Sequence, residues 1–494
     1  MSGVRIPKQW RLPESREERL AIIGLAALLV AGALLRLLFT FAWRPAFMGW
    51  PDAASYMDVS QGELFSSTLR PAGYPLLLKG LYALAPSLGL VVALQHLLGL
   101  VSAALLYSAV ARSGAPRLLG LVPAAILALG GDFMFLEHAP ISEASFIFLV
   151  SAALYAAVRA LEGGRLRWAA LCGLALALAA SVRVVALALL VVVGLWTLLA
   201  SGEELRQRLR LLAMGAAGVA AVLVPYYVAE QAAVGDTGLS RNGVWNVYGR
   251  VAPFADCSKF TPPPGTERLC EMTSRPRRPL TYQYTFNWYY SPAVRYFGNP
   301  HSATPEQTGY VAAFARAVIV GQPLSYAEEV GAGLLRYVAP ESFKGYGGGP
   351  GYDELVGQQI LFNRLFRRQG LGVAREHGYT DAGGFAVDHG LLEALRAYES
   401  VTRIQGALFV LIALLSLAAP LLNTGRARSA ALLFALVGWT LCVVPVATVE
   451  FSVRTGLPGF GALGAAAALG GWGAARAVRR RRRSEGDGPL AEAA

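Results

Sequence analysis

Four short stretches of this 494-residue chain hold the side chains best suited to chemistry, and each lies at the edge of, or inside, an apolar run. The first, MGWPDAASYMDVSQGELFSSTLRPAGYPLLLKG (48–80), carries Asp52 and Tyr56 and then a turn of Arg70, Pro71, Gly73, Tyr74 and Pro75. The second, FLEHAPISEASF (135–146), places Glu137, His138 and Glu143 within seven residues. Arg183 interrupts a long apolar run, and VEFSVRTGLPGF (449–460) carries Glu450 and Arg454. A carboxylate beside a membrane surface can take a proton, and a guanidinium forks onto phosphate oxygens in a way that lysine cannot imitate. The chain has only four lysines, so its candidate anion ligands are arginines. Prolines stiffen the turn around Arg70 and Tyr74 and would hold a cation and a hydroxyl near that surface. Plainer readings compete: Asp52 as a helix cap, the turn as merely structural, Arg183 snorkelling to headgroups. Glu137, His138 and Glu143 could bind a divalent cation, the metal being unknown, or Glu143 could hold hydroxyl groups or orient a cation. Arg36 reads as a snorkelling residue outside any site, and Gln95 with His96 as satisfied buried polar groups.

The elements that position these residues are membrane helices. At 55% hydrophobic, 15% charged and a mean hydropathy of +0.45, the composition lies outside the range of soluble domains. The formal charge of +12 sits in short basic clusters between apolar runs, which marks topology and argues against a nucleic-acid surface. A first run, 20–42, follows Lys8, Arg11, Arg16 and Arg19 and reads as a retained signal anchor after a cytoplasmic segment, 1–19. Further runs cover 89–110, 118–133, 142–159, 168–200, 211–229, 403–421, 430–448 and 457–477. The run 168–200 would span about 50 Å as one helix, too long for one crossing, and both its ends are basic, so it reads as a hairpin bent at Arg183. The count is then about ten, with both termini cytoplasmic, a basic tail at 478–494, and an all-α polytopic fold.

Parity places the loop 43–88, the turn 134–141, the bend at Arg183, the segment 230–402 and the turn from Glu450 to Arg454 on the outer face. The segment 230–402, between helices 7 and 8, is long enough for a mixed extracytoplasmic domain, separating a transmembrane core (20–229) from C-terminal helices (403–477). It runs through TPPPG (261–265) and KGYGGGPGYDE (344–354), with amphipathic stretches near 308–320 and 324–338 that would form short surface helices. Cys257 and Cys270, with twelve residues between them, are expected to form a disulfide worth about 3 kcal/mol in an oxidising compartment. Trp245, Tyr248 and Arg250, and the aromatic run TYQYTFNWYY (281–290), suit a sugar-binding face or headgroup anchoring equally.

The order of Asp52, Tyr56 and the Arg-Pro-x-Gly-Tyr-Pro turn resembles the GT-C superfamily of integral membrane glycosyltransferases, in particular its bacterial branch of aminoarabinose and protein mannosyltransferases. The turn is similar to that family's Arg/Lys-Pro-Pro-x-Tyr segment near the donor phosphate, and the segment 449–460 resembles its Glu-x-Arg-Tyr-x-Leu-Pro motif. Thr455 stands in place of the tyrosine, and one extra residue separates Glu450 from Arg454. The resemblance covers about 20–230 and 403–477 and leaves 230–402 uncovered. It implies an enzyme that transfers a sugar from a polyprenyl-phosphate donor to a lipid, cell-wall glycan or protein acceptor at the outer face. Asp52 would be the base, with Arg70, Tyr74, Arg183 and Arg454 at the lipid phosphate. Tyr56, Glu137, His138, Glu143, Tyr248, Arg250 and Glu450 would serve the acceptor or support the site. A flippase of lipid-linked glycans, or a non-catalytic binding subunit on the same scaffold, stands as the alternative.

Overall fold

The computed structural model describes residues 15–66, 70–235, 238–240, 242–270, 291–339 and 364–486. Lys8 and Arg11, the aromatic run 281–290 and the glycine-rich 344–354 lie outside the described residues. The chain opens with α1 (Arg16–Ala42), capped by Ser15 Oγ, which accepts from Glu18 N–H. After the two-residue strand β1 (Trp43–Arg44), the first loop forms α2 (Pro51–Gln61) and α3 (Gly73–Leu84). Next come α4 (Leu88–Ala111), α5 (Leu121–Leu129), α6 (Gly131–Glu137), α7 (Glu143–Leu161), α8 (Leu166–Val182), α9 (Ala186–Ala200) and α10 (Leu205–Val234).

The inserted segment holds α11 (Asn242–Val251), α12 (Pro292–Phe297), α13 (Pro305–Gly321), α14 (Pro323–Leu335), α15 (Arg364–Glu376), the strand β2 (Ala386–Val387) and α16 (His389–Thr402). Three helices close the chain: α17 (Gly406–Leu422), α18 (Gly425–Thr448) and α19 (Val453–Gly486).

The fold is all-α and polytopic, and the expected apolar runs are helical apart from breaks at Gly130, at 183–185 and at 403–405. By length and composition, five helices among the described residues can cross a membrane: α1, α4, α7, α10 and α18. Two bent pairs raise this to seven, residues 117–137 with a 51° bend and α16 with α17 with a 45° bend; the expected count of ten is not reached on this measure. The run 168–200 divides at Arg183 into α8 and α9, two shorter apolar helices that pack on each other. Large apolar side chains stand exposed along α1, α9, α10 and α17, among them Ile23, Phe41, Leu199, Val228 and Leu421. Such faces find their solvent in lipid tails.

In its described residues the insertion, expected to be mixed, consists of helices joined by turns and irregular stretches, with β2 as its strand. The amphipathic stretches become α13, started by a Thr304–Gln307 capping box, and α14, which packs on α18. Tyr248, Trp245, Phe254 and Phe314 form a second apolar core there, beside the Cys257–Cys270 disulfide. The last part of the insertion docks on the first loop: β2 pairs antiparallel with β1, α15 packs on α2, and α16 on α1 and α6. Asp381 completes the joint by accepting from Leu88 and Gly89 N–H at the start of α4, at 2.9 and 2.8 Å.

Candidate active site

Five charged side chains from four distant parts of the chain converge. Asp52 sits in the first turn of α2, which Pro51 starts. Glu143 is the first residue of α7, Arg183 ends α8, and Arg454 lies in the first turn of α19. Arg454 joins the two acids: its Nη2 is 2.6 Å from Asp52 Oδ2, and its Nε donates to Glu143 Oε1. Arg70 Nη2 donates to the other oxygen of Asp52, and Arg183 Nη1 is 2.6 Å from Glu143 Oε1. Three guanidiniums thus face two carboxylates, arranged as Arg70–Asp52–Arg454–Glu143–Arg183.

Neutral groups hold these guanidiniums in place. Arg454 lies over the Trp50 ring at 4.3 Å, Arg183 over Phe146 at 5.8 Å, and Arg70 over Tyr56 at 5.1 Å while donating to Ser55 Oγ at 2.6 Å. The Tyr56 hydroxyl donates to Ser142 Oγ, and its ring meets that of Tyr74 edge to face at 4.9 Å. The Tyr74 hydroxyl is committed to Gln95 Oε1 at 2.7 Å, so it supports the turn and does not point at the ion pairs. Gly73 brings the turn against α8: a Cβ there would stand 2.4 Å from Ser181 O, two residues before Arg183.

Burial alone would push the Asp52 carboxyl up, but Arg70 and Arg454, and more weakly Arg183, outweigh it and hold the group well below the usual carboxylate range. Asp52 is therefore ionised. The side chains of Asp52, Arg70 and Arg183 keep 18, 24 and 22% of their surface open, whereas Glu143 has none. Glu143 Oε2 has no hydrogen-bond partner among the described residues, an uncommon condition for a buried carboxylate oxygen. Two open depressions lie elsewhere among the described residues: about 370 Å³ between Arg367 and Trp43, and about 570 Å³ between the 163–164 turn and Glu203–Gln207.

Other candidate residues stand in separate networks. Glu137 is held by Arg36 through two bonds of 2.7 Å, and Arg36 also donates to Ala128 O at 2.7 Å. Arg36 is thus buried inside the helix bundle and does not snorkel, a correction to the expectation. His96 bridges Glu137 Oε2 (3.0 Å) to His138 Nδ1 (3.1 Å), and His138 Nε2 reaches Trp43 O (2.8 Å). Gln95 and His96 are satisfied buried polar groups, as expected. The Glu137–His138 pair, expected to serve the acceptor or support the site, fastens the turn at 43–47 through Trp43 O and the Phe47 N–H that His138 O accepts. Tyr248 lies in the second core, its hydroxyl accepting from Ala293 N–H. Arg250 pairs with Glu329 at 3.6 Å and feels Glu450, a buried set that joins the insertion to the α18–α19 turn. Trp50, Ser55, Ser142 and Phe146 escape sequence reading, although Trp50 and Ser55 flank Asp52 within three residues. Among the described residues no three His, Cys, Asp or Glu side chains gather in a metal-holding group.

No family model matches the chain, and no curated protein matches it. Among solved structures it is similar to the S. cerevisiae protein O-mannosyltransferase Pmt1-Pmt2 complex bound to the sugar donor, at 16% identity and a TM-score of 0.35, over 49% of this chain and 37% of that one. It is similar to the oligosaccharyltransferase AglB of Archaeoglobus fulgidus in complex with an inhibitory peptide and a dolichol-phosphate, at 10% identity and a TM-score of 0.46, over 95% of this chain and 52% of that one. It is also similar to ArnT from Cupriavidus metallidurans bound to undecaprenyl phosphate, at 17% identity and a TM-score of 0.35, over 86% of this chain and 89% of that one. The chain spans about half or less of the length of the first two.

Proposed function

We propose that the chain is a membrane glycosyltransferase that moves a sugar from a polyprenyl-phosphate donor to a hydroxyl-bearing acceptor at the outer face of the membrane. One observation carries this reading: three arginines from separate segments, Arg70, Arg183 and Arg454, meet two carboxylates, Asp52 and Glu143, and three of the five side chains keep part of their surface open. The donor class follows from the motif resemblance, and the sidedness from the basic loops.

Asp52 takes the proton of the acceptor hydroxyl as its oxygen bonds to the anomeric carbon. The bond from that carbon to the phosphate oxygen breaks, and its electron pair leaves with the polyprenyl phosphate. Arg70, Arg183 and Arg454 stabilise the charge that grows on the leaving phosphate. Without donor, Arg70 and Arg454 are clamped to Asp52, so a weak base is held ready. A phosphate that draws these forks away removes positive charge from beside Asp52 and raises its basicity where the proton must go. Glu143, fully buried, fixes Arg183 and Arg454 in place behind the reacting groups.

The test is transfer by the purified full chain in detergent, from radiolabelled polyprenyl-phosphate sugars to a membrane and wall extract. Labelled product from the native protein and its loss in Asp52→Asn is the expected result. Equal product from both proteins overturns the assignment of the base, and labelled donor appearing on the far side of proteoliposomes without product favours a flippase.

A further inference from the structure

The cavity of about 370 Å³ beside β1 belongs to none of the chemistry above. Its walls are Trp43, Arg367, Arg368, Phe385, Val387 and His389. The Arg367 guanidinium lies over two rings, 5.8 Å from Trp43 and 5.0 Å from Phe385, which are themselves packed edge to face at 5.3 Å. A guanidinium stacked in this way keeps its N–H edge free for an anion. Arg368 beside it is exposed, and neither arginine meets a carboxylate among the described residues. The nearby Asp388 carboxylate is turned to its own helix, where it accepts from Leu391 N–H at 3.0 Å.

Depth and shape point to the ligand. Trp43 follows Ala42, the last residue of the first span, so the cavity opens at headgroup level. The helix that supplies both arginines, α15, buries Gly370, Leu371 and Ala374; Gly370 lies against Met48, 3.1 Å from a built Cβ to its carbonyl oxygen. Its basic face is therefore left outward, beside the end of a span. We infer that Arg367 and Arg368, with His389, form a second anion site, which takes the phosphate group of a membrane lipid headgroup. It is distinct from the Asp52 cluster and stands whether or not the transferase reading does.

The experiment is native mass spectrometry of the full chain in detergent, titrated with dioleoylphosphatidylglycerol. The native protein should retain one lipid more than the Arg367→Gln/Arg368→Gln double variant does, with half-saturation shifted about tenfold or more in that variant. If the double variant unfolds early in a thermal scan, Arg368→Gln alone, at an exposed position, replaces it, with an expected shift of several-fold. Displacement of the lipid by millimolar inorganic phosphate supports the site and makes free phosphate a sufficient ligand; retention supports the site with the lipid as its source. Unchanged binding in the arginine variants, or equal binding of uncharged dioleoylglycerol by the native protein, overturns the inference.

Discussion

Replacing Asp52 with asparagine keeps the size of the side chain and removes one charge from between two guanidiniums. Its two oxygens accept from Arg70 and from Arg454, and a donor phosphate must compete for the same forks. A hydrogen bond to a charged group contributes about 1.5–3 kcal/mol net, so relief from displacing even the weaker one, about 1.5 kcal/mol, is roughly a tenfold gain in affinity for polyprenyl phosphate. Transfer loses its base in the same variant, a fall of about 10²–10⁴-fold. The two quantities are thus expected to move in opposite directions. They are read separately, affinity by titration of polyprenyl phosphate and turnover by labelled product, on protein whose thermal unfolding matches the native chain. Full turnover would refute Asp52 as base. A loss of donor affinity in step with turnover would refute the competition for the arginines, because it would make the carboxylate a contributor to donor binding.

Gly73→Ala forces a Cβ to within 2.4 Å of Ser181 O and should part the Arg70 turn from Arg183, raising the donor KM, while Gly80→Ala, with nothing within 4 Å of its new Cβ, leaves kinetics unchanged. Arg36→Met strands Glu137 as a buried charge and should cost about 3–5 kcal/mol in unfolding experiments, much of it recovered by adding Glu137→Leu. Because the folded protein holds the Asp52 carboxyl below its usual pKa, the stability this group contributes is complete above its unfolded pKa, near 4, and is lost as pH falls below that. Thermal scans from pH 3 to 6 should show a shallower acid limb in Asp52→Asn. Cys257→Ser with Cys270→Ser should loosen the second core by about 3 kcal/mol, read as faster hydrogen exchange in α11–α13.

The candidate site was legible in the sequence where a residue's own position carried the signal. Arg183 interrupts an apolar run, Asp52 and Arg70 flank a proline-stiffened loop, and Arg454 sits in a motif; all three arginines meet the two acids. Glu143 was separated in the sequence from its neighbours Glu137 and His138 only by weighing roles, and the fold divides them physically, one acid to Arg454 and the other to Arg36. The Arg36 pairing was illegible because its partner lies 101 positions away, and an arginine near a helix end looks the same whether it snorkels or is buried. Tyr248, Arg250 and Glu450 carried aromatic and charged character suited to a ligand surface, but burial and contact decide such residues, and both depend on the packing of α11, α13 and α14. The long apolar helices were readable, since apolar length dictates them, whereas α2 and α3 in the first loop and α15 and α16 in the insertion were not. The count of crossings was less so, because length alone does not say whether a bent or short helix traverses.

Arg454 occupies the first turn of α19 and, among the described residues, is the one side chain that bridges Asp52 to Glu143, which precedes it by 311 positions. A nascent chain therefore inserts most of its membrane helices while each of those acids still lacks one counter-charge. Only when α19 enters is the charge set complete. Truncation anywhere before that point removes the join and not merely a peripheral helix, so a chain cut short after α18 should be recognised by membrane quality control as unfinished, with its two acids under-compensated in a low-dielectric setting.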